Sequence, residues 1–197
     1  MAKGKFDMSE FLAPVEGVPE SDTTQEIAVD DILDNPLNFY PRPDNGKLAE
    51  LMESIQANGL LEPPTVVTAE NGKYRLISGH SRMNAVRLLA SYKDDAVAER
   101  FQRVLCRVLP SMTPEQEECA VIEANRQRIK SPAVLAQEAE RLTQIYIKRR
   151  EAGEDLPGRI RDRVAEAMQV NKTKLANLSA IKNGLKVPGI VARWEKQ

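Results

Sequence analysis

The stretch TVVTAENGKYRLIS, residues 65–78, constrains this chain more than any other. β-Branched residues fill much of Thr65–Thr68, a turn is built around Asn71-Gly72, and Lys73–Ser78 alternate in polarity, which together spell a β-hairpin. Beyond it comes Gly79-His80-Ser81-Arg82, and then Met83, Val86, Leu89 and Ala90 fall at helical spacing to about Ser91. A sheet must therefore hand over to a helix at a glycine.

That handover is a chemical opportunity. Ser78 or Gly79 stands at the helix N-cap, with His80, the chain's single histidine, Ser81 and Arg82 in the first turn. Such an end presents N–H groups without intrahelical partners and about half a positive charge, which suits an anion. Arg82 opposes that dipole at a cost of about 0.3–1 kcal/mol, which makes sense when a phosphate or carboxylate lies between the two. Gly79 permits close approach, and Ser81 and His80 add donors. The plainer alternative is a turn, with Arg82 reaching to solvent or to a glutamate at the core edge. A lone Gly-x-x-Arg does not choose between them.

The surroundings organise the chain. Residues 1–24 mix Gly, Pro, Ser, Thr and acidic residues and read as a flexible arm, in which Phe6, Met8, Phe11, Leu12 and Val15 are a candidate docking segment. EIAVDDI suggests a short strand and turn, and NPLNFYPRPDNG an extended loop held open by three prolines. KLAELMESIQANG is an amphipathic helix stopped by Asn58-Gly59, and RVLCRVL, residues 103–109, is a further strand. Helices begin near Thr113 and Ser131, each followed at once by proline. EAGEDLPG breaks helices, and two short helices are expected after it. The expected fold class is α+β: a mixed α/β domain over 25–110, connecting helices over 111–156, and an all-helical lobe over 157–197.

NGLLEPPTVV followed by YRLISGHSRMNAVRLLA resembles the N-terminal domain of the ParB family of chromosome and plasmid partition proteins, a fold shared with sulfiredoxins. The family's Gly-(hydrophobic)-x-x-Pro stretch matches at Gly59, Leu60 and Pro63. Its Gly-Glu-Arg-Arg-x-x-Ala box matches at Gly79, Arg82 and Ala85, with His80 and Ser81 replacing the usual Glu and Arg. Asn35, Pro36, Pro41 and Arg42 follow the family's Asn-Pro…Pro-Arg loop, and Asn125, Gln127 and Arg128 its Asn-x-Gln-Arg helix end. Ala124 stands where Glu is expected; Glu123 lies one residue earlier, as in mobile-element members. The resemblance implies a CTP site drawn from Gly59, Leu60, Pro63, Gly79, His80, Ser81, Arg82, Asn84 and Arg126, with Mg²⁺ on Asn125 and Glu123. Residues i and i+2 point to different sides of a regular helix, so those two meet one metal only where the helix ends or distorts. Loss of one box arginine removes a phosphate clamp, which puts nucleotide affinity and any weak CTPase activity in question.

RDRVAEAMQVNKTKLANLSAI fits a helix-turn-helix. Val164, Met168, Val170, Leu175 and Leu178 fall at packing positions, and small Ala165 sits at the closest approach. Asn171 should cap the second helix. Asn171, Lys172, Thr173, Lys174 and Asn177 then lie on the side that meets base edges and phosphates, with Arg161 and Lys182 as flanking contacts to duplex DNA. A plain helical hairpin gives similar periodicity. Net charge is −1 overall, yet residues 123–182 carry 13 Lys/Arg against 8 Asp/Glu, a net +5 that leaves −6 elsewhere.

One helix-turn-helix makes few contacts, so a homodimer on paired half-sites is expected. Family members generally continue into a C-terminal dimerisation domain, whereas this sequence stops at Gln197, so it dimerises otherwise, is truncated, or belongs to a shorter mobile-element branch. A partition ATPase is the further partner the resemblance implies; Lys3 and Lys5 are too few to mark its docking arm. Cys106 and Cys119 lack metal-like spacing and read as buried thiols. With no stretch of 18 apolar residues and no signal-peptide core, the expectation is a cytoplasmic, nucleoid- or plasmid-associated protein without a membrane partner. Two other functions stay open. One is a DNA-binding adaptor with a degenerate, empty pocket. The other is a phosphoryl-transfer enzyme of the small-molecule kinase type, with Glu62 or Glu123 offered as base; sulfiredoxin chemistry would need a cysteine in the box, and none lies there.

Overall fold

The computed structural model describes residues 23–185, the last four only as helical backbone. These residues form two compact units, 23–125 and 126–185. The boundary falls inside the segment read as connecting helices. Most of the arm, including Phe6, Met8, Phe11, Leu12 and Val15, lies outside the described residues, as does 186–197. Thr23 and Thr24, assigned to the arm from composition, are instead paired in the sheet with Val108 and Arg107.

The first unit is built on a mixed five-stranded sheet: β1 (Thr23–Ala28), β2 (Ile32–Leu33), β3 (Thr65–Thr68), β4 (Tyr74–Ser78) and β5 (Arg103–Leu109), in the order β1-β5-β3-β4-β2. The hairpin is β3 and β4, antiparallel, with Val66 opposite Leu76 and Val67 opposite Arg75. Its turn puts Asn71 at φ 58° and Gly72 at φ 71°, which is why Asn-Gly stands there. Strand β5 alternates as its sequence demands: Val104, Cys106 and Val108 face the core while Arg103, Leu105 and Arg107 are exposed.

Helices α1 (Asn45–Asn58) and α2 (His80–Ala90) supply Ile55, Met83, Val86 and Leu89 to that core, where Val66, Leu76 and Ile27 meet them. Asp44 caps α1 by accepting from the Lys47 N–H at 2.9 Å, and Gly59 ends it at φ 74°. A short helix not anticipated from the sequence, α3 (Asp95–Arg100), is capped by Asp94. Six residues are too few for a periodic signal, and only that capping aspartate announces it. Helix α4 (Pro114–Ala124) begins with a capping box between Thr113 and Gln116. Cys106 and Cys119 are free and buried, and burial pushes the Cys106 thiol up to about 11.

The second unit holds α5 (Pro132–Glu151), α6 (Ile160–Ala167) and α7 (Lys172–Leu185). Ser131 caps α5 ahead of Pro132, and Ala139, Leu142, Ile145, Val164, Ala165, Leu175 and Leu178 are buried. Lys130 and Glu138 form a buried ion pair at 2.7 Å. No helix among the described residues is long and apolar enough to cross a membrane.

Candidate nucleotide and DNA interfaces

The junction after β4 has the form its sequence suggested. Gly79 is the N-cap of α2, at φ 91°, and no side chain caps the helix. A Cβ at this position would sit 3.1 Å from Pro64 Cβ and 3.2 Å from Pro64 Cα. Glycine is thus required twice, for its left-handed backbone and for the close approach of the Gly59–Pro64 loop. The first-turn N–H groups of α2 keep the partial positive charge that a capping oxygen would have met.

Arg82 folds back onto that loop. Its Nη1 lies 2.8 Å from Glu62 Oε2 and also donates to the Glu62 carbonyl oxygen. The carboxylate found beside Arg82 is therefore a surface one: the Glu62 side chain is 81% exposed, that of Arg82 only 21%. Leu60 packs against the core edge, Leu61 is exposed, and Pro63, Ser81 and Asn84 are half-buried.

His80 occupies a place of its own. Its Nε2 is buried without a hydrogen-bond partner among the described residues. Burial lowers the imidazole to about 4, against the attraction of Asp34 and with the repulsion of Arg42 and Arg87. These last three form a network that sequence reasoning did not single out as a site. Asp34 accepts from Arg87 Nη1 at 2.7 Å and from Arg42, while Arg87 Nη2 donates to the Ile32 carbonyl at 2.6 Å. Burial opposes ionisation of Asp34, yet the hydrogen bonds from Arg87 and Arg42 prevail and hold it below the usual carboxylate range.

A second network ties the Asn-Pro loop to β4 and α4. Glu117, buried on α4, accepts from Arg75 Nε at 2.8 Å and Nη2 at 2.6 Å, and from Asn35 Nδ2 at 3.3 Å. The Asn35 Oδ1 accepts in turn from the Leu37 N–H at 2.9 Å. At the far end of α4, Asn125 is the C-cap and its Nδ2 donates to the Val121 carbonyl at 2.9 Å. Glu123, half-buried, lies in the last turn. No group of three His, Cys, Asp or Glu among the described residues could hold a metal by itself. Arg126 opens the second unit.

In the second unit, Asn171 caps α7 through Oδ1, which accepts from the Lys174 N–H at 2.7 Å. Gln169, in the turn position that favours glycine, takes φ 54°. Lys172, Thr173, Lys174 and Asn177 are exposed on α7, and Arg161 is exposed on α6. Lys172 Nζ pairs with Asp162 Oδ1 at 2.9 Å. The Lys182 side chain lies outside the described residues. Arg161 also borders a cleft of about 350 Å³ between α5, α6 and α7, with Ala136, Thr143, Ile147 and Ser179 among its walls.

Residues 15–124, more than half of the chain, match the ParB N-terminal domain family. The chain belongs to that family. Among curated relatives, the probable chromosome-partitioning protein ParB of Chlamydia pneumoniae is 32% identical over 163 residues, covering 79% of this chain and 49% of that protein. Its namesake in Helicobacter pylori is 29% identical over 147 residues, covering 74% and 46%. The chain thus spans about half the length of these ParB relatives. A solved structure of C-terminally truncated ParB from Caulobacter crescentus, complexed to the centromeric parS site, is similar in fold. Its TM-score is 0.51 at 18% identity, with 86% of this chain and 76% of that one covered. The fold class is accordingly α+β of the ParB type, with a helical unit after the sheet.

Proposed function

We propose that this chain is a nucleotide-responsive DNA-binding protein of the ParB type, acting in partition of a chromosome, plasmid or mobile element. In this reading the first unit binds CTP with Mg²⁺, the second binds duplex DNA, and nucleotide alters how two copies associate on that DNA. The observation that carries it is the uncapped, glycine-entered N-terminus of α2 with Arg82 in its first turn. A bound nucleotide supplies a triphosphate there. The chain's own residues do the holding: the first-turn N–H groups and Arg82 meet negative charge, and Gly79 lets the loop close against the helix.

The donor set suits a phosphate group better than a lone metal ion. With no three-residue ligand cluster among the described residues, Mg²⁺ would rely on one or two protein oxygens beside phosphate and water. Asn125 has its amide nitrogen bound to Val121, which leaves Oδ1 as the candidate oxygen, with Glu123 as the second. The exposed face of α7, capped by Asn171, supports DNA contact by Lys172, Thr173, Lys174 and Asn177. One such module makes few contacts, which favours two copies on paired half-sites.

The test is isothermal titration of CTP, with ATP as control, in the presence of Mg²⁺, on the wild type and on Arg82→Ala. CTP-selective binding that disappears in the variant is the expected result. No binding by either protein, with DNA present, overturns the nucleotide reading and leaves a DNA-binding adaptor.

A further inference from the structure

We propose that Glu62 is a tethered competitor for Arg82, an internal carboxylate that a phosphate-bearing ligand must displace and that lowers the affinity of every ligand bound through Arg82. The inference rests on the reading of the α2 N-terminus as a phosphate site and specifies what governs entry to it. Its ground is the asymmetry of one ion pair. The Arg82 side chain is held inward, 21% exposed, and is anchored by a second bond to the Glu62 carbonyl oxygen; the Glu62 side chain, whose carboxylate lies 2.8 Å from Nη1, is 81% exposed. The backbone bond and the packing of Gly79 on Pro64 hold the loop in place. The carboxylate can therefore rotate into solvent without unmaking the loop.

The loop is constructed for that division of labour. Gly59 opens it at a positive φ of 74°, and Pro63-Pro64 close it with φ fixed by their rings. Leu61, 87% exposed, adds no packing at the tip. What moves is one glutamate side chain. What stays is the guanidinium at the first turn of α2, where an anion also feels the uncapped N–H groups. A ligand with one charge exchanges one carboxylate-like contact for another and gains little. A triphosphate replaces the carboxylate on Arg82 while its remaining charge meets the helix end. Glu62 thereby lowers both affinities by the same factor, and the preference for the triphosphate comes from its remaining charge at the helix end.

An exposed ion pair is worth little, so the competition is modest, about two- to fivefold in affinity. Four proteins are compared by calorimetric titration with CTP and Mg²⁺, and with inorganic tripolyphosphate and orthophosphate: wild type, Glu62→Gln, Arg82→Ala and the double variant. Glu62→Gln keeps the size and polarity of an exposed side chain, and its melting temperature verifies that the fold is intact. The expected result is about two- to fivefold tighter binding of CTP and tripolyphosphate by Glu62→Gln, with any measurable orthophosphate binding gaining by the same factor. The gain disappears when Arg82 is also alanine. Equal or weaker binding by Glu62→Gln, with Arg82→Ala still defective, overturns the competitor and leaves the phosphate site standing. Binding unaffected by Arg82→Ala, or absent in all four proteins, overturns both.

Discussion

Glu117 grips Arg75 with both carboxylate oxygens, at 2.8 and 2.6 Å, from a position 42 residues further along the chain. The glutamate side chain is 4% exposed and the arginine 33%, and Asn35 donates to the same carboxylate. One charge therefore joins the Asn-Pro loop, the strand leading to Gly79, and the helix leading to Asn125.

Removing that charge strands a half-buried guanidinium and an amide. Glu117→Ala should destabilise the first unit by about 3 kcal/mol, the low end for a broken buried pair because Arg75 keeps some water. Chemical denaturation measures it. An apolar pair, Arg75→Met with Glu117→Leu, should recover most of the loss. If the double variant is as unstable as the single one, packing and not the stranded charge is responsible.

His80 makes stability depend on pH with a definite sign. In the unfolded chain the imidazole takes its proton near the ordinary value of 6.5, whereas burial in the fold delays this to about 4. Between those values the unfolded state binds the extra proton, so stability falls as pH drops, beginning near 6.5 and complete near 4. The loss is roughly 2 kcal/mol after allowing for residual water contact. His80→Asn should flatten the wild-type slope between pH 6.5 and 4.5 in urea titrations. An unchanged slope assigns it to other groups.

Gly79→Ala tests the junction directly. An alanine pays about 1–2 kcal/mol for the left-handed backbone and must also push Pro64 away from 3.1 Å. A lower melting temperature is expected, together with faster proteolysis in the Gly59–Pro64 loop. Gly72→Ala shares the positive φ but meets nothing within 4 Å. It should therefore lose stability without altering that loop.

What was legible in the sequence was local. The hairpin follows from Asn71-Gly72 and β-branched residues, the α1 stop from Gly59, the α4 and α5 starts from Thr113-Pro114 and Ser131-Pro132, and the α7 cap from Asn171. Each is decided within a few residues, where turn chemistry and capping act. The partners of charged groups were not legible. Arg75 finds Glu117, Arg87 finds Asp34 and Arg82 finds Glu62 only once strands and helices are packed, and no spacing in the chain announces those meetings. Arg82 reaches a glutamate and not solvent alone, and that glutamate stands on an exposed loop instead of at the core edge.

The helical unit carries the last prediction. Lys172 and Lys174 both lie on the exposed N-terminal side of α7, yet Lys172 is paired with Asp162 at 2.9 Å, a hydrogen bond that holds the aspartate below its usual range. To meet a phosphate Lys172 must give up that partner. Lys174→Ala should therefore weaken binding to duplex DNA and reduce the slope of log affinity against log salt by about 1, whereas Lys172→Ala should do less. Asp162→Asn releases Lys172 and should tighten binding about twofold, in line with the small worth of an exposed pair. Fluorescence anisotropy between 50 and 200 mM salt reads all three. If Lys174→Ala leaves both affinity and slope unchanged, this face of α7 does not contact DNA backbone, and the exposed lysines are a solvated surface.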